Sequence, residues 1–227
     1  MRTLVLFDID GTLVQGGPAK GAFHRALIDA FGMAGDIEVH DFAGKTDPQI
    51  ARELLSGAGL EQGDIDAGFP ALWRHYVAGL EAALVEHPME LLTGVGGLLD
   101  ALEAVGDVAL GLVTGNIADG ARLKLGSVGL DARFPVGSFG SDHETREFLP
   151  AIAIERASRR FGVPFDRRRV VVVGDTPRDV ACGIHEGVRT VGVATGRFDV
   201  DTLLEVGADR AFPDFASTDE VLACLLE

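Results

Sequence analysis

The stretch Thr3-Leu4-Val5-Leu6-Phe7-Asp8-Ile9-Asp10-Gly11-Thr12 decides the fold. Its apolar run up to Phe7 reads as a strand buried on both faces, as in a parallel sheet covered by helices. The run then meets two carboxylates. Side chains two apart in a strand point the same way, so Asp8 and Asp10 are expected together at the carboxyl end of the sheet, where open α/β sheets bind ligands. Two such charges a few ångströms apart repel, and one takes a proton unless a cation joins them. The pair asks for a metal or for acid/base chemistry.

Working outward, the pattern repeats. Residues 108–113 form a second apolar run, closed by Thr114-Gly115-Asn116. Residues 170–173 form a third, closed by Gly174-Asp175-Thr176-Pro177-Arg178-Asp179, and residues 189–193 a fourth. Between them residues 95–105, 117–128, 149–161 and 177–185 show apolar positions at three- and four-residue spacing. Strand and helix alternate, which predicts an α/β protein with a doubly wound, Rossmann-like parallel sheet core. One stretch departs from the alternation: residues 15–92 carry helical patterns at about 18–31, 47–56 and 64–86 and no strand pattern. That is too long for a plain crossover. The expected organisation is a core of residues 1–14 and 93–227 with an inserted α-helical cap domain of residues 15–92. Gly16-Gly17 and Leu92-Thr93-Gly94 are the expected hinges, because glycine tolerates the backbone angles a swinging connection needs.

Composition narrows the function. With 47% hydrophobic and 24% charged residues, the 227-residue chain can bury a core and is not a disordered segment. Its 35 acidic against 20 basic residues give a net charge of −15, which argues against a nucleic-acid partner. The densest basic cluster, Arg167-Arg168-Arg169, follows Asp166 and leads into an apolar run, so it reads as a strand flank. Cys182 and Cys224 are distant and form neither a disulfide framework nor a thiolate metal site. The first apolar run meets acid too soon for a signal peptide, and no run approaches the length of a membrane span. The expectation is a cytoplasmic protein without a membrane partner, monomer or homodimer.

The strand ends carry the chemistry. Asp175 closes the third strand, Asp179 falls in the first turn of the next helix, and Pro177 suits that helix start. With Asp8 and Asp10 this makes four carboxylates at neighbouring strand ends, a hard oxygen set suited to Mg²⁺. The Thr114 hydroxyl and the backbone at Gly115 and Asn116, opening onto a helix, read as a cradle for phosphate oxygens.

Together, Asp8-Ile9-Asp10-Gly11-Thr12, Thr114-Gly115-Asn116 and Gly174-Asp175 with Asp179 resemble motifs one, two and four of the haloacid-dehalogenase-like hydrolase superfamily. The resemblance covers essentially the whole chain, and the helical insert resembles the cap of the phosphoglycolate phosphatase-like and β-phosphoglucomutase-like branch. It implies that Asp8 is a nucleophile taking the phosphoryl group and that Asp10 is the acid/base for leaving alcohol and attacking water. It implies Mg²⁺ held by Asp8, the Asp10 backbone carbonyl and Asp175, with Asp179 assisting, and a transferring phosphate bound by Thr114. The implied activity is Mg²⁺-dependent hydrolysis of a small phosphorylated metabolite through an aspartyl phosphate. The alternatives are a sugar phosphomutase, then a phosphonatase using a cap lysine, then a non-catalytic regulatory protein.

The third motif departs from the family, which usually offers a lysine there. This chain has only Lys20, Lys45 and Lys124. Lys124 lies within the helix after Thr114 and is expected to face solvent. Arg146, just ahead of the helix near Leu149, is the expected replacement, since a guanidinium can clamp carboxylate and phosphate. Lys45, in Gly44-Lys45-Thr46-Asp47-Pro48, has two readings: a cap residue contacting a substrate anion, or part of a helix start with Thr46 or Asp47 as N-cap. His24, His40, His75, His87 and His185 lack metal-ligand spacing. Trp73 and Tyr76 read as cap packing.

Overall fold

The computed structural model describes residues 2–227. The chain opens with β1 (Thr3–Phe7), then β2 (Val14–Gln15), α1 (Ala19–Phe31), α2 (Asp47–Gly57), α3 (Gln62–Glu86) and β3 (Glu90–Leu91). It continues with α4 (Val95–Ala104), β4 (Val108–Val113), α5 (Ala118–Gly126), β5 (Gly137–Ser138) and α6 (Leu149–Phe161). It ends with β6 (Val170–Gly174), α7 (Pro177–Glu186), β7 (Arg189–Val193), α8 (Val200–Glu205), β8 (Arg210–Phe212) and α9 (Thr218–Leu226). Six strands form one sheet in the order β5-β4-β1-β6-β7-β8, every pairing parallel. The α/β, doubly wound architecture expected from the apolar runs is the one observed.

The faces of β1 sort its side chains. Val5 and Phe7 pack with Leu110, Leu112, Val171 and Val173 against α4, α5 and α9, and this apolar core continues into α1, α2 and α3. Leu4 and Leu6 join Val170, Val172 and the α6 residues Leu149, Ala153 and Ala157 on the other face. The alternation is the two-residue period of a strand covered on both sides. Both cysteines are buried, as small apolar residues tend to be.

Register sets the site. Phe7 pairs with Leu112 of β4 and with Val173 of β6. Asp8, Thr114 and Asp175 therefore leave three adjacent strands at nearly one level. β1 lies where the chain turns from building one half of the sheet to the other, the crevice at which such sheets bind ligands.

Two differences from expectation concern residues 15–92. The stretch carries a strand after all, since β3 pairs antiparallel with β2 through Val14–Leu91 and Gln15–Glu90. Two residues with exposed side chains on β3 leave no apolar signature to read. The two crossings between sheet and helical insert thus form one ribbon, with Gly16 and Gly17 at φ 70° and 72° directly after β2. The other difference is in α2, whose two candidate N-caps resolve to Thr46, its hydroxyl accepting from the Gln49 N–H at 3.2 Å. Among the described residues no helix is long and apolar enough to cross a membrane.

Candidate active site

Asp8 is the first residue beyond β1, held by its N–H to the Val173 carbonyl at 2.9 Å, and its side chain is buried. Gly11, at φ 81°, lets the chain turn sharply after the strand. It also lets backbone pass against Asp175: a Cβ at Gly11 would fall 2.3 Å from the Asp175 carboxylate. The Thr12 hydroxyl donates to Asp175 at 3.2 Å. On the other side the Thr114 N–H donates to the Ser138 carbonyl of β5 at 3.1 Å, fixing that fully buried threonine beside Asp8's strand.

Asp179 has a local cause. Thr176 and Asp179 form a reciprocal capping box at the start of α7, with Pro177 in the first turn. One Asp179 oxygen accepts from the Thr176 N–H at 3.1 Å and hydroxyl at 2.6 Å, and the other receives Arg146 at 2.5 Å. Gly174 is required here, because a Cβ would sit 2.2 Å from the Asp179 carboxyl carbon.

The structure brings Arg146 to the nucleophile candidate. It opens a single 3-10 turn just before α6, is buried, and places one guanidinium nitrogen 2.8 Å from Asp8 Oδ1. Its Nε is buried without a hydrogen-bond partner among the described residues.

Lys124 corrects the sequence reading. It is not solvent-facing but buried, and its ammonium lies 2.8 Å from each Asp10 oxygen and 2.7 Å from Asn116 Oδ1. Asn116 completes the triangle, its amide donating to Asp10 at 2.7 Å and to the Thr114 hydroxyl at 2.9 Å. The signal was in the helix period: Lys124 shares a stripe with Ala121 and Leu125, both buried on α5. A lysine inside an apolar stripe needs an anion beside it, and Asp10 supplies one.

These contacts set the protonation pattern. Burial pushes the Asp8 carboxyl up to about 6, against the opposing pull of Arg146 and with Asp179 and Asp10 adding to the rise. Burial, then Asp179 and Asp8, push Asp175 up to about 8. Asp10 behaves differently. Its crowding also opposes charge, but Lys124 at hydrogen-bond distance, helped by Asn116, outweighs that and holds it below the ordinary carboxylate value.

Asp8, Asp175 and Asp179 each offer one oxygen to a group lying within 4.8 Å of one another. Three buried carboxylates at that separation, two of them reluctant to ionise, form a hard donor set short of positive charge, which fits Mg²⁺. The Asp10 carboxylate stands outside this group, turned to Lys124.

The loop before α2 closes over these residues. The Asp47 N–H donates to the Gly115 carbonyl at 2.7 Å, and its carboxylate accepts from the Ile117 N–H at 2.8 Å, at the start of α5. Burial pushes the Asp47 carboxyl up to about 6, with Lys124 and the Ile117 N–H opposing and Asp10 adding to the rise. Asp47 was weighed from sequence only as an N-cap of its own helix; the structure makes it cap another one. Gly115 seats this loop, since a Cβ there would meet the Lys45 carbonyl at 2.0 Å. The Lys45 side chain lines the cavity but points its ammonium to Glu53, 2.5 Å away. Around the loop, Arg52 grips Glu144 at 2.9 and 3.0 Å, and Arg178 donates to the Ala43 carbonyl at 3.2 Å.

The result is a cavity of about 370 Å³ with Asp8, Asp10, Thr114, Arg146 and Asp175 on its floor and residues of α1, α3 and the 42–50 segment above. Tyr76 lines it too, buried in the apolar core and edge-on against Phe23, the packing expected from its spacing.

A family model for haloacid dehalogenase-like hydrolases matches residues 5–193, and the chain belongs to that family. It is an enzyme of the hydrolase class that this fold and strand-end site define. Among curated proteins it is 26% identical to a phosphoglycolate phosphatase of Agrobacterium fabrum, over 98% of this chain and 93% of that one. It is 29% identical to a phosphoglycolate phosphatase of Xylella fastidiosa, covering 88% of each. Among solved structures, a hydrolase from Pseudomonas syringae superposes with a TM-score of 0.73 at 20% identity, covering 100% of both chains.

Proposed function

We propose that this chain is a Mg²⁺-dependent phosphatase of the phosphoglycolate phosphatase-like branch, hydrolysing a small phosphomonoester through a phosphorylated Asp8. The observation that supports it best is the buried Asp8 carboxylate, 2.8 Å from Arg146 and grouped with Asp175 and Asp179 on the floor of a cavity. The two-part organisation, with residues 15–92 as a cap over a core of 1–14 and 93–227, belongs to the same proposal.

An Asp8 oxygen attacks phosphorus, the bond from phosphorus to the alcohol oxygen breaks, and Asp10, which must first take up a proton against the pull of Lys124, gives that proton to the alcohol oxygen. Asp10, now a carboxylate, draws a proton from water as the water oxygen attacks phosphorus, which releases phosphate and restores Asp8. Lys124 and Asn116 hold Asp10 in the anionic form that the second half needs. Thr114 and Arg146 orient and neutralise the transferring oxygens, with Gly115 and Asn116 shaping the floor around them. Arg146 at Asp8 favours the ionised nucleophile against its burial. Asp8 and Asp175, with Asp179 and the Asp10 carbonyl assisting, would hold Mg²⁺, which would supply the positive charge that lets one anion approach another. The loop carrying Lys45 and Asp47 excludes bulk water.

The test is phosphate release from a panel of metabolite phosphates, phosphoglycolate included, with and without Mg²⁺ and with Asp8→Asn as the blank. Metal-dependent release by the parent alone is expected. Near-normal release by Asp8→Asn refutes the mechanism. Isomerised sugar phosphate without net phosphate release assigns the site to a mutase instead.

A further inference from the structure

The upper half of the cavity has a composition that the chemistry on its floor does not require. Its walls above the strand ends are Ala19, Phe23, Phe42, Ile50, Tyr76 and Phe198. Phe23 organises the aromatic part, with Tyr76 edge-on at 5.3 Å and Phe42 at 6.5 Å between ring centroids. Such a wall takes the face or edge of an apolar group and offers little to a charged one.

Charge points the same way. Three cations reach the upper cavity, and each is already held by a carboxylate: Lys20 by Glu38 at 3.1 Å, Lys45 by Glu53 at 2.5 Å and Arg197 by Asp41 at 3.1 Å. The two cations of the floor are likewise held, Lys124 by Asp10 and Arg146 by Asp8 and Asp179. Asp47 adds another carboxyl to the wall. A second anion on the substrate, beyond its phosphate, would enter a space where every lining cation among the described residues already has a carboxylate partner, Lys20 and Arg197 in exposed pairs and Lys45, Lys124 and Arg146 in more buried ones. It would have to displace one of those carboxylates to gain a partner.

The cavity, of about 370 Å³, has room for such an apolar group beside the phosphate.

We infer that the alcohol this enzyme releases is uncharged and carries a ring whose apolar face lies against the Phe23, Phe42 and Tyr76 wall, and that it has no carboxylate or second phosphate. The inference rests on the phosphatase reading and specifies its substrate class. In atoms, the ester R–CH₂–O–PO₃²⁻ and water give R–CH₂–OH and inorganic phosphate, with R the uncharged ring.

The experiment compares kcat/KM of the full chain with Mg²⁺ for benzyl phosphate, ethyl phosphate and phosphoglycolate. All three release a primary alcohol. They differ in having a ring, nothing, or a carboxylate above the phosphate. The expected order is benzyl above ethyl above phosphoglycolate, with at least about a tenfold gap between first and last, one decade for the ring's burial. Phe42→Ala is expected to lower the benzyl-to-ethyl ratio several-fold. Glu53→Gln, which frees Lys45, is expected to raise kcat/KM for phosphoglycolate several-fold. Phosphoglycolate as the best of the three overturns the inference and leaves the phosphatase reading standing, as does a benzyl-to-ethyl ratio at or below one. No metal-dependent release from any of the three overturns the phosphatase reading and the inference with it. The order is read on the unaltered chain, so it decides the matter even where a variant fails to fold.

Discussion

Replacing Asp47 by asparagine is expected to stabilise the protein at neutral pH and to do almost nothing at pH 4. The Asp47 carboxylate is packed between the start of α5 and the cavity, accepting from the Ile117 N–H at 2.8 Å. Burial raises its carboxyl from 3.8 to about 6; Lys124 and the Ile117 N–H restrain the rise and Asp10 adds to it. A carboxyl whose pKa is higher folded than unfolded binds protons better in the native state. Its contribution is therefore complete below the unfolded value and is lost as pH climbs through the folded one. Over that interval, at about 1.36 kcal/mol per unit, the loss is about 3 kcal/mol. Asparagine keeps an oxygen for Ile117 and the backbone N–H for Gly115, and it has no charge to bury. The difference in stability between Asp47→Asn and the parent should thus grow by about 3 kcal/mol between pH 4 and pH 7, or on the order of 6–12 °C in melting temperature for a chain of this size. Paired thermal melts in metal-free buffer across that range read it directly, because carboxyls common to both proteins cancel. A difference that stays flat with pH, or a variant less stable at pH 7, refutes the reasoning. It would mean that Lys124 and the α5 N-terminus outweigh burial.

Other outcomes follow from the same geometry. Lys124→Met removes the buried partner of Asp10; because the Asp10 side chain is 45% exposed to the cavity, the stability loss is only about 1–2 kcal/mol, read by urea denaturation. Its turnover should fall far more, on the order of 10²-fold, since Asp10 loses the cation that fixes its position and charge. Mg²⁺ added at pH 7 in weak buffer should release protons, because burial and the neighbouring Asp179 and Asp8 hold Asp175 near 8, and titration calorimetry in two buffers counts them. The apparent Mg²⁺ affinity should accordingly weaken as pH falls from 8 to 6. Gly115→Ala puts a methyl where the Lys45 carbonyl lies 2.0 Å away, against backbone that cannot rotate aside. It should lower kcat/KM at least tenfold while circular dichroism stays unchanged, and a variant of full activity would show that the 43–47 loop does not need this seat.

Which parts of this were legible in the sequence depends on the range of the interaction. β1, β4 and β6 are continuous apolar runs with a chemical marker at the end, and parallel register alone then places Asp8, Thr114 and Asp175 side by side. β5 is a Gly-Ser pair and β8 a three-residue edge strand, too short to carry a period. Asp179 was readable because its capping box is local. Arg146 was placed only through the resemblance, as the replacement for the third motif's missing lysine ahead of the helix near Leu149, with no periodicity behind it. Lys124 and Asp47 were misjudged for opposite reasons. The signal for Lys124 lay in its own helix stripe, where burial outranks the usual preference of lysine for water. Asp47 bonds 70 residues away in sequence, across a contact between α2 and α5 that no local pattern encodes.

The ribbon of β2 and β3 has a consequence for how such a protein can be rebuilt. Val14 stands opposite Leu91 and Gln15 opposite Glu90 in one antiparallel pair, so the chain leaves the sheet and returns to it through points only about 5 Å apart. Everything between them is a loop closed at its neck. Joining Gln15 to Glu90 through a two-residue turn would make an ordinary hairpin and leave the order of the six parallel strands untouched. The same neck lets a different helical insert be spliced in without altering a single strand pairing below it. The carboxylates at the strand ends stay where the sheet puts them, whatever chain the neck closes.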